Sequence, residues 1–251
     1  REGLSICPNG PEYTGALSTT SAETVTLQGN SLSFATRTPS TVSGSMNHSA
    51  NAAVVDGAPG TLSADRTMLN LDAGGQVALT RAGNLFSARY VATPQNGTRT
   101  VGVIGAATQF NDVPSKGVAN FSGSTQLTLQ DGVNSYDLTG SATMRVDFGA
   151  GTVNTSLGGL SGTLQPGFGN VRQVSDVATI GITGSSIANN AFKGGTASVN
   201  SGSLTALSAS PTTQMTGTFF GPRATEAGGT FVINDTQAGS LLLMGELISR
   251  R

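Results

Sequence analysis

An all-β fold is what this sequence predicts, and three observations predict it. Apolar and polar side chains alternate with period 2 through most of the 251 residues. Glycine-containing turn dipeptides separate the alternating runs, and no run of strong helix formers occurs. The longest runs, near residue 140, exceed an ordinary strand of about 5–6 residues. Such lengths suit a curled sheet or small barrel in which each strand crosses the whole body at a tilt.

The first alternating run is Thr24-Val25-Thr26-Leu27-Gln28; Gly29-Asn30 offers a turn, and residues 31–36 alternate again, which reads as a hairpin. Gly74-Gly75 and Gly83-Asn84 punctuate predicted strands at 68–71, 76–80 and 85–91. Residues 39–59 break this rhythm: they are small, hold the only histidine, His48, and read as a long loop. From about residue 100 the alternation lengthens. Over 136–148, Leu138, Gly140, Ala142, Met144, Val146 and Phe148 share one face, and the other carries Asp137, Thr139, Ser141, Thr143, Arg145 and Asp147. Asp131-Gly132 turns the chain between this run and 118–129. Further strands are predicted at 152–160, 178–183, 197–207, 215–220, 230–233 and 241–248.

Composition excludes several functions. Thirteen Lys plus Arg against fourteen Asp plus Glu leave a formal net charge of −1 with no basic stripe, so nucleic acid is not a predicted partner. No stretch approaches 18 apolar residues, and the longest patch, Leu241-Leu242-Leu243-Met244, is strand-sized. An outer-membrane barrel needs aromatic girdles; aromatics are 5% and Trp is absent, so the chain is not expected to span a membrane. A β-solenoid needs a fixed-period repeat, and none occurs. Cys7 is the only cysteine, which excludes an intrachain disulfide and a Cys-based zinc site. Leu4-Ser5-Ile6-Cys7 approximates a lipoprotein cleavage box, but Ile6 is bulky for it, and an inert thiol is the simpler reading. The chain starts at Arg1 without methionine, in keeping with a removed export signal.

One stretch says more than composition: Gly217-Thr218-Phe219-Phe220-Gly221-Pro222-Arg223-Ala224-Thr225-Glu226-Ala227-Gly228-Gly229-Thr230-Phe231. Gly221-Pro222 ends a strand at a tight turn, since Pro lacks a donor and Gly tolerates the bend. Glu226 is placed to accept backbone N–H bonds within that connection, and Gly228-Gly229 permits close approach before Phe231 returns to the core. Gly217, Gly221, Pro222, Glu226, Gly228, Gly229 and Phe231 are therefore read as a structural motif.

This stretch resembles the signature of the C-terminal barrel in the transferrin-binding protein B family. Relatives include the factor H binding lipoprotein, the Neisserial heparin-binding antigen and the hemophilins. The segment from Asn111 through Pro114, Gly117, Ala119 and Phe121 to Gly123 is similar to the family's barrel opening, and Val146-Asp147-Phe148-Gly149 with Thr152-Val153 to its third-to-fourth strand passage. The resemblance covers roughly residues 100–251 and implies an eight-stranded antiparallel barrel at 101–251, preceded by a smaller β-rich handle domain at 1–100. It further implies an exported binding protein of a Gram-negative bacterium, at the cell surface (lipid-anchored or not) or extracellular. Its role would be to capture a host or environmental ligand, protein or small solute, for nutrient acquisition. The alternative is a structural or adhesive surface protein without a small ligand. A monomer is expected.

Enzyme chemistry is poorly supplied. One His and one Cys, both within the first fifty residues, leave no nucleophile–base pair. No nucleophile elbow or phosphate loop is present. Asp137 and Asp147 would lie about 33 Å apart on one strand, too far for a glycosidase pair. The reading is a non-enzyme with no required cofactor and no resident metal site. The resemblance implies haem as a candidate small ligand, with His48 and Met46 in the predicted loop as ligand residues and Tyr13, Tyr90 and Tyr136 completing the possible axial donors. Tyr90 and Tyr136 are otherwise core residues with the hydroxyl at a rim.

Overall fold

Every strand with one dry face and one wet face keeps the alternation that predicted it. The computed structural model describes residues 5–6, 13–14, 24–47, 50–95, 97–236 and 240–251, and its regular elements are all strands apart from two 3-10 turns. A short pair, β1 (Ser5–Ile6) and β2 (Tyr13–Thr14), comes first. Then follow β3 (Thr24–Ser33), β4 (Thr38–Asn47), β5 (Ala52–Val55), β6 (Ala58–Leu62), β7 (Met68–Leu71), β8 (Gly75–Thr80), β9 (Ser87–Pro94) and β10 (Thr100–Gly105). These pair antiparallel in order, and β10 closes on β3 to make a first eight-stranded barrel.

The second barrel uses β11 (Val118–Asp131), β12 (Asn134–Asp147), β13 (Thr152–Gln165), β14 (Arg172–Val174), β15 (Thr179–Ala188), β16 (Ala191–Lys193), β17 (Thr196–Asn200), β18 (Thr212–Phe220), β19 (Glu226–Asp235) and β20 (Leu241–Arg250). Its ring runs β13-β12-β11-β20-β19-β18-β16-β15 and closes β15 on β13, with β14 and β17 added at its margins. The predicted eight-stranded C-terminal barrel is therefore present. The N-terminal β-rich region is itself a closed barrel, which its shorter strands did not announce. Each interior is filled by side chains, as eight strands require. Phe121, Phe148, Phe192 and Phe219 cluster in the second, their ring centroids 5.2–6.3 Å from Phe219. Leu27, Leu69, Val77 and Tyr90 fill the first.

Three local expectations are corrected. Residues 39–59 are not a long loop: they form most of β4, all of β5 and the start of β6. Pro39 sits where one edge is open: it pairs with Leu32 of β3, but β5 covers only Gly44–Asn47 of β4. Pro59 pairs with Val54, and its carbonyl accepts the Asp72 N–H (3.0 Å) just beyond β7. Gly29-Asn30 is no turn, because β3 runs through it. A Cβ on Gly29 would lie 2.0 Å from the Val103 carbonyl oxygen, so this glycine serves close strand approach. Finally, strand 197–207 stops at Asn200, where the Ser201 hydroxyl accepts N–H bonds from Ser203 and Leu204 (both 3.1 Å) and turns the chain. The short β16 supplies the missing strand instead.

The barrels lie side by side, and this explains where alternation fails. On β20, Leu241, Leu243 and Leu247 point into the second barrel, while Leu242, Met244, Glu246 and Ile248 face the first. On β19, Ala227, Phe231 and Ile233 point inward, and Val232 packs with Leu32 and Val101 of the first barrel. Strands buried on both faces read as continuous apolar runs; the run Leu241-Leu242-Leu243-Met244 is such a strand.

Candidate functional site

The glycine–proline motif builds the junction between the barrels. Gly221 ends β18 at φ +72°, a left-handed conformation suited to glycine, and a Cβ there would lie 2.6 Å from the Phe86 ring. Pro222 opens a 3-10 turn (Pro222–Ala224) that leads into β19, and Gly217 and Gly229 pair across β18 and β19. Gly228 faces the other barrel: a Cβ would lie 2.7 Å from Val103 Cγ1. Phe231 is wholly buried in the second core. The segment between the barrels is stitched to this turn. The Gly221 N–H donates to the Ala106 carbonyl (2.9 Å), Thr108 N–H to Phe219 O (2.9 Å), and the Thr108 hydroxyl to Gly221 O (2.7 Å).

Glu226 accepts backbone hydrogen bonds, but not within its own connection. Its carboxylate takes the N–H groups of Leu85 (2.5 Å) and Phe86 (2.9 Å) and the Ser87 hydroxyl (2.8 Å), all from the first barrel. The donors it takes are those at the entry to β9. Burial raises the Glu226 pKa above the ordinary carboxylate value, and the bonds from Leu85, Ser87 and Phe86 oppose that rise. Asn84 Nδ2 reinforces the same corner by donating to Ser87 Oγ (2.8 Å) and Ser249 O (3.1 Å).

A second carboxylate lies deeper in the seam. Glu246 of β20 is ion-paired with Arg89 of β9, and both are buried. Arg89 Nη2 also donates to Ser124 Oγ (3.1 Å) on β11. Burial pushes the Glu246 pKa up to about 7, against the pull of Arg89. Farther along, Asn30 Nδ2 donates to Thr218 Oγ1 (2.7 Å) across the same interface. Arg89 and Glu246 were not singled out in the sequence, and Asn30 only as a turn residue. The available signal was a lone carboxylate inside the apolar strand Leu241-Leu242-Leu243-Met244-Gly245-Glu246-Leu247-Ile248.

Of the predicted ligand residues, Met46, Tyr90 and Tyr136 have described side chains. His48 lies outside the described residues, as does the side chain of Tyr13. Met46 is 2% exposed on β4, with its thioether in the first core. The free space among Met46, Leu27, Val55, Leu69 and Ile104 is about 10 Å³, at the limit for one water and far short of a porphyrin. Tyr90 and Tyr136 are core residues, with the Tyr90 hydroxyl buried rather than at a rim, and burial raises both phenol pKa values. The described donors thus do not fit haem. Among the described residues no group of three or more His, Cys, Asp or Glu is placed to hold a metal. Asp137 and Asp147 are strand-face carboxylates bonded to Thr128 Oγ1 and the Ala150 N–H, both at 2.9 Å.

Two surface features remain. At the β11–β12 turn end of the second barrel, Val133, Phe168 and Val171 are 71%, 92% and 54% exposed, on connections 132–133 and 166–171 that meet where Val133 covers Gly167. At the opposite end, beside the motif turn, a groove of about 530 Å³ runs between β3, residues 106–111 and Asn190.

The family described as the C-lobe and N-lobe β-barrels of transferrin-binding protein B matches residues 113–245, a little over half of the chain. Among solved structures, transferrin-binding protein B of Haemophilus parasuis Hp5 superposes with a TM-score of 0.60 at 15% identity, covering 95% of this chain and 47% of its own. The isotype 1 protein of serogroup B Neisseria meningitidis gives 0.55 at 13% identity, covering 90% and 44%. The chain spans about half the length of these structures, and at such identities the likeness is one of fold. No curated protein matches the sequence.

Proposed function

The chain belongs to the family of C-lobe and N-lobe β-barrels of transferrin-binding protein B, and from that premise we propose that it is an exported, cell-surface protein that captures an iron-carrying host protein for nutrient acquisition. It is a binding protein rather than an enzyme. No helix among the described residues is long and apolar enough to cross a membrane. The observation that carries a protein ligand, rather than a small one, is the pairing of closed, filled barrels with an exposed apolar tip. Interior sites for a drug-sized ligand need several hundred Å³, and the space around Met46 falls far below that. The tip at Val133, Phe168 and Val171 instead offers apolar side chains on connections anchored by long strands, the arrangement that marks protein-binding surfaces.

Transferrin is the first ligand to try, because it is the one named for the relatives. Immobilised chain is expected to retain iron-loaded transferrin, and Phe168→Ser to weaken that retention without changing the melting temperature. A parallel haem titration is expected to give no saturable Soret shift. Saturable haem binding with no protein retained would overturn the proposal.

A further inference from the structure

We propose that the groove beside the motif turn is a binding site for a neutral carbohydrate, independent of the apolar tip and of the transferrin reading. Its volume of about 530 Å³ falls within the range of small-molecule sites, about 300–1,000 Å³. Thr26 and Gln28 of β3 line it together with Gln109, Phe110, Asn111 and Asn190.

Among the described residues the lining contains no Asp, Glu, Lys, Arg or His. A phosphate, a sialylated sugar or an ammonium group would find no counter-charge among the described residues here, and desolvating such a charge without a partner is costly. The nearest carboxylate on these elements, Asp112, accepts the Arg223 N–H at 2.7 Å and so is engaged with the motif turn. What the groove offers instead is amides. Each carries an acceptor oxygen and two donor hydrogens, the same dual character that a sugar hydroxyl presents. Gln28, Gln109 and Asn111 are exposed and make no side-chain hydrogen bond among the described residues. Asn190 donates through Nδ2 to Thr108 O (2.8 Å), which fixes its orientation and leaves Oδ1 as an acceptor. A purely apolar ligand such as an acyl chain would bury these amides without partners.

Phe110 completes the site. It is 67% exposed, an unusual position for a Phe beside amides. An aromatic ring has a negative face, which suits the C–H face of a pyranose while the ring's hydroxyls meet the amides. The platform is also held in place. Phe110 begins a 3-10 turn (Phe110–Asp112) closed by the Asp112 N–H to the Gln109 carbonyl (2.9 Å), and the preceding residues are bonded to Phe86, Phe219 and Gly221. Little ordering is needed on binding, which favours affinity for a small, weakly hydrophobic ligand.

The test uses the full chain on an array of uncharged mono- and oligosaccharides with their sialylated and sulfated counterparts, followed by calorimetry with the best neutral hit. Neutral glycans are expected to bind in preference to charged ones. Phe110→Ala and Gln109→Ala should each weaken the hit by on the order of tenfold with unchanged melting temperature, since both side chains are exposed. Phe168→Ser should leave glycan affinity unchanged, which separates this site from the protein-capture tip. Absence of any glycan binding at millimolar concentration, preference for charged glycans, or an unaltered hit in both Phe110→Ala and Gln109→Ala would each overturn the assignment. A groove that retains peptides and no sugar would overturn it in favour of an extended polypeptide.

Discussion

Replacing Glu226 by Ala removes one acceptor from three donors at once. The Leu85 and Phe86 N–H groups and the Ser87 hydroxyl all end on this carboxylate. A buried donor left without a partner costs about 1–3 kcal/mol. Leu85 is 44% exposed, so water can reach its N–H and relieve one of the three. Ser87 is fully buried, and Asn84 Nδ2, which donates to its oxygen, cannot accept its proton. The ionised carboxylate is itself disfavoured by burial, so its removal returns part of the loss. The expected cost is about 3 kcal/mol. For a chain of this size that is a fall of roughly 6–12 °C in melting temperature. Because the lost bonds join two barrels, the unfolding transition should also broaden or split. Calorimetry beside urea denaturation measures both. Glu226→Gln, which keeps one acceptor oxygen, should fall between wild type and Glu226→Ala. A loss below about 0.5 kcal/mol in Glu226→Ala, the range of ordinary surface changes, would refute the role assigned to this residue.

The remaining predictions concern the same seam and its surroundings. Glu246 has a folded pKa pushed up to about 7, above the unfolded carboxylate value of about 4.3; the folded state holds the extra proton between them, so this contribution to stability is present below about pH 4.3 and lost as pH rises through about 7. Denaturation at pH 5.0 and 7.5 should show it, and Glu246→Gln should flatten the difference; an identical pH slope in the variant would contradict the assignment. Gly228→Val should destabilise by about 1–3 kcal/mol through overpacking against Val103, with a wild-type melting temperature as the contrary result. Met46→Ala should cost about 2–5 kcal/mol as a core truncation, measured by urea denaturation; an unchanged midpoint would return Met46 to the surface.

Legibility in the sequence followed the number of wet faces a strand has. Val118–Asp131 and Asn134–Asp147 each keep one face in water, and their alternation gave their extents within a few residues. Ala191–Lys193 is three residues long and carries too little pattern to register, although the ring cannot close without it. Gly29-Asn30 carries turn chemistry locally, yet the glycine is selected by an approaching carbonyl and the asparagine by Thr218, nearly two hundred residues away. Tertiary contacts of that kind leave no periodic trace. The same holds for the site. Glu226 was legible as a backbone acceptor from its place in the motif, but its donors lie in another barrel. Arg89 and Glu246 sit in separate strands, and only the fold brings them together. Phe110 and its amides come from three elements, none of which carries a motif alone.

Capture of an iron-carrying protein by the apolar tip should be visible in hydrogen–deuterium exchange of the full chain with and without iron-loaded transferrin. Slowed exchange should appear in residues 131–134 and 166–171, and should vanish in the Phe168→Ser variant while the strand cores of both barrels stay unchanged. No change at these connections at saturating transferrin, or protection confined to the first barrel, would contradict it.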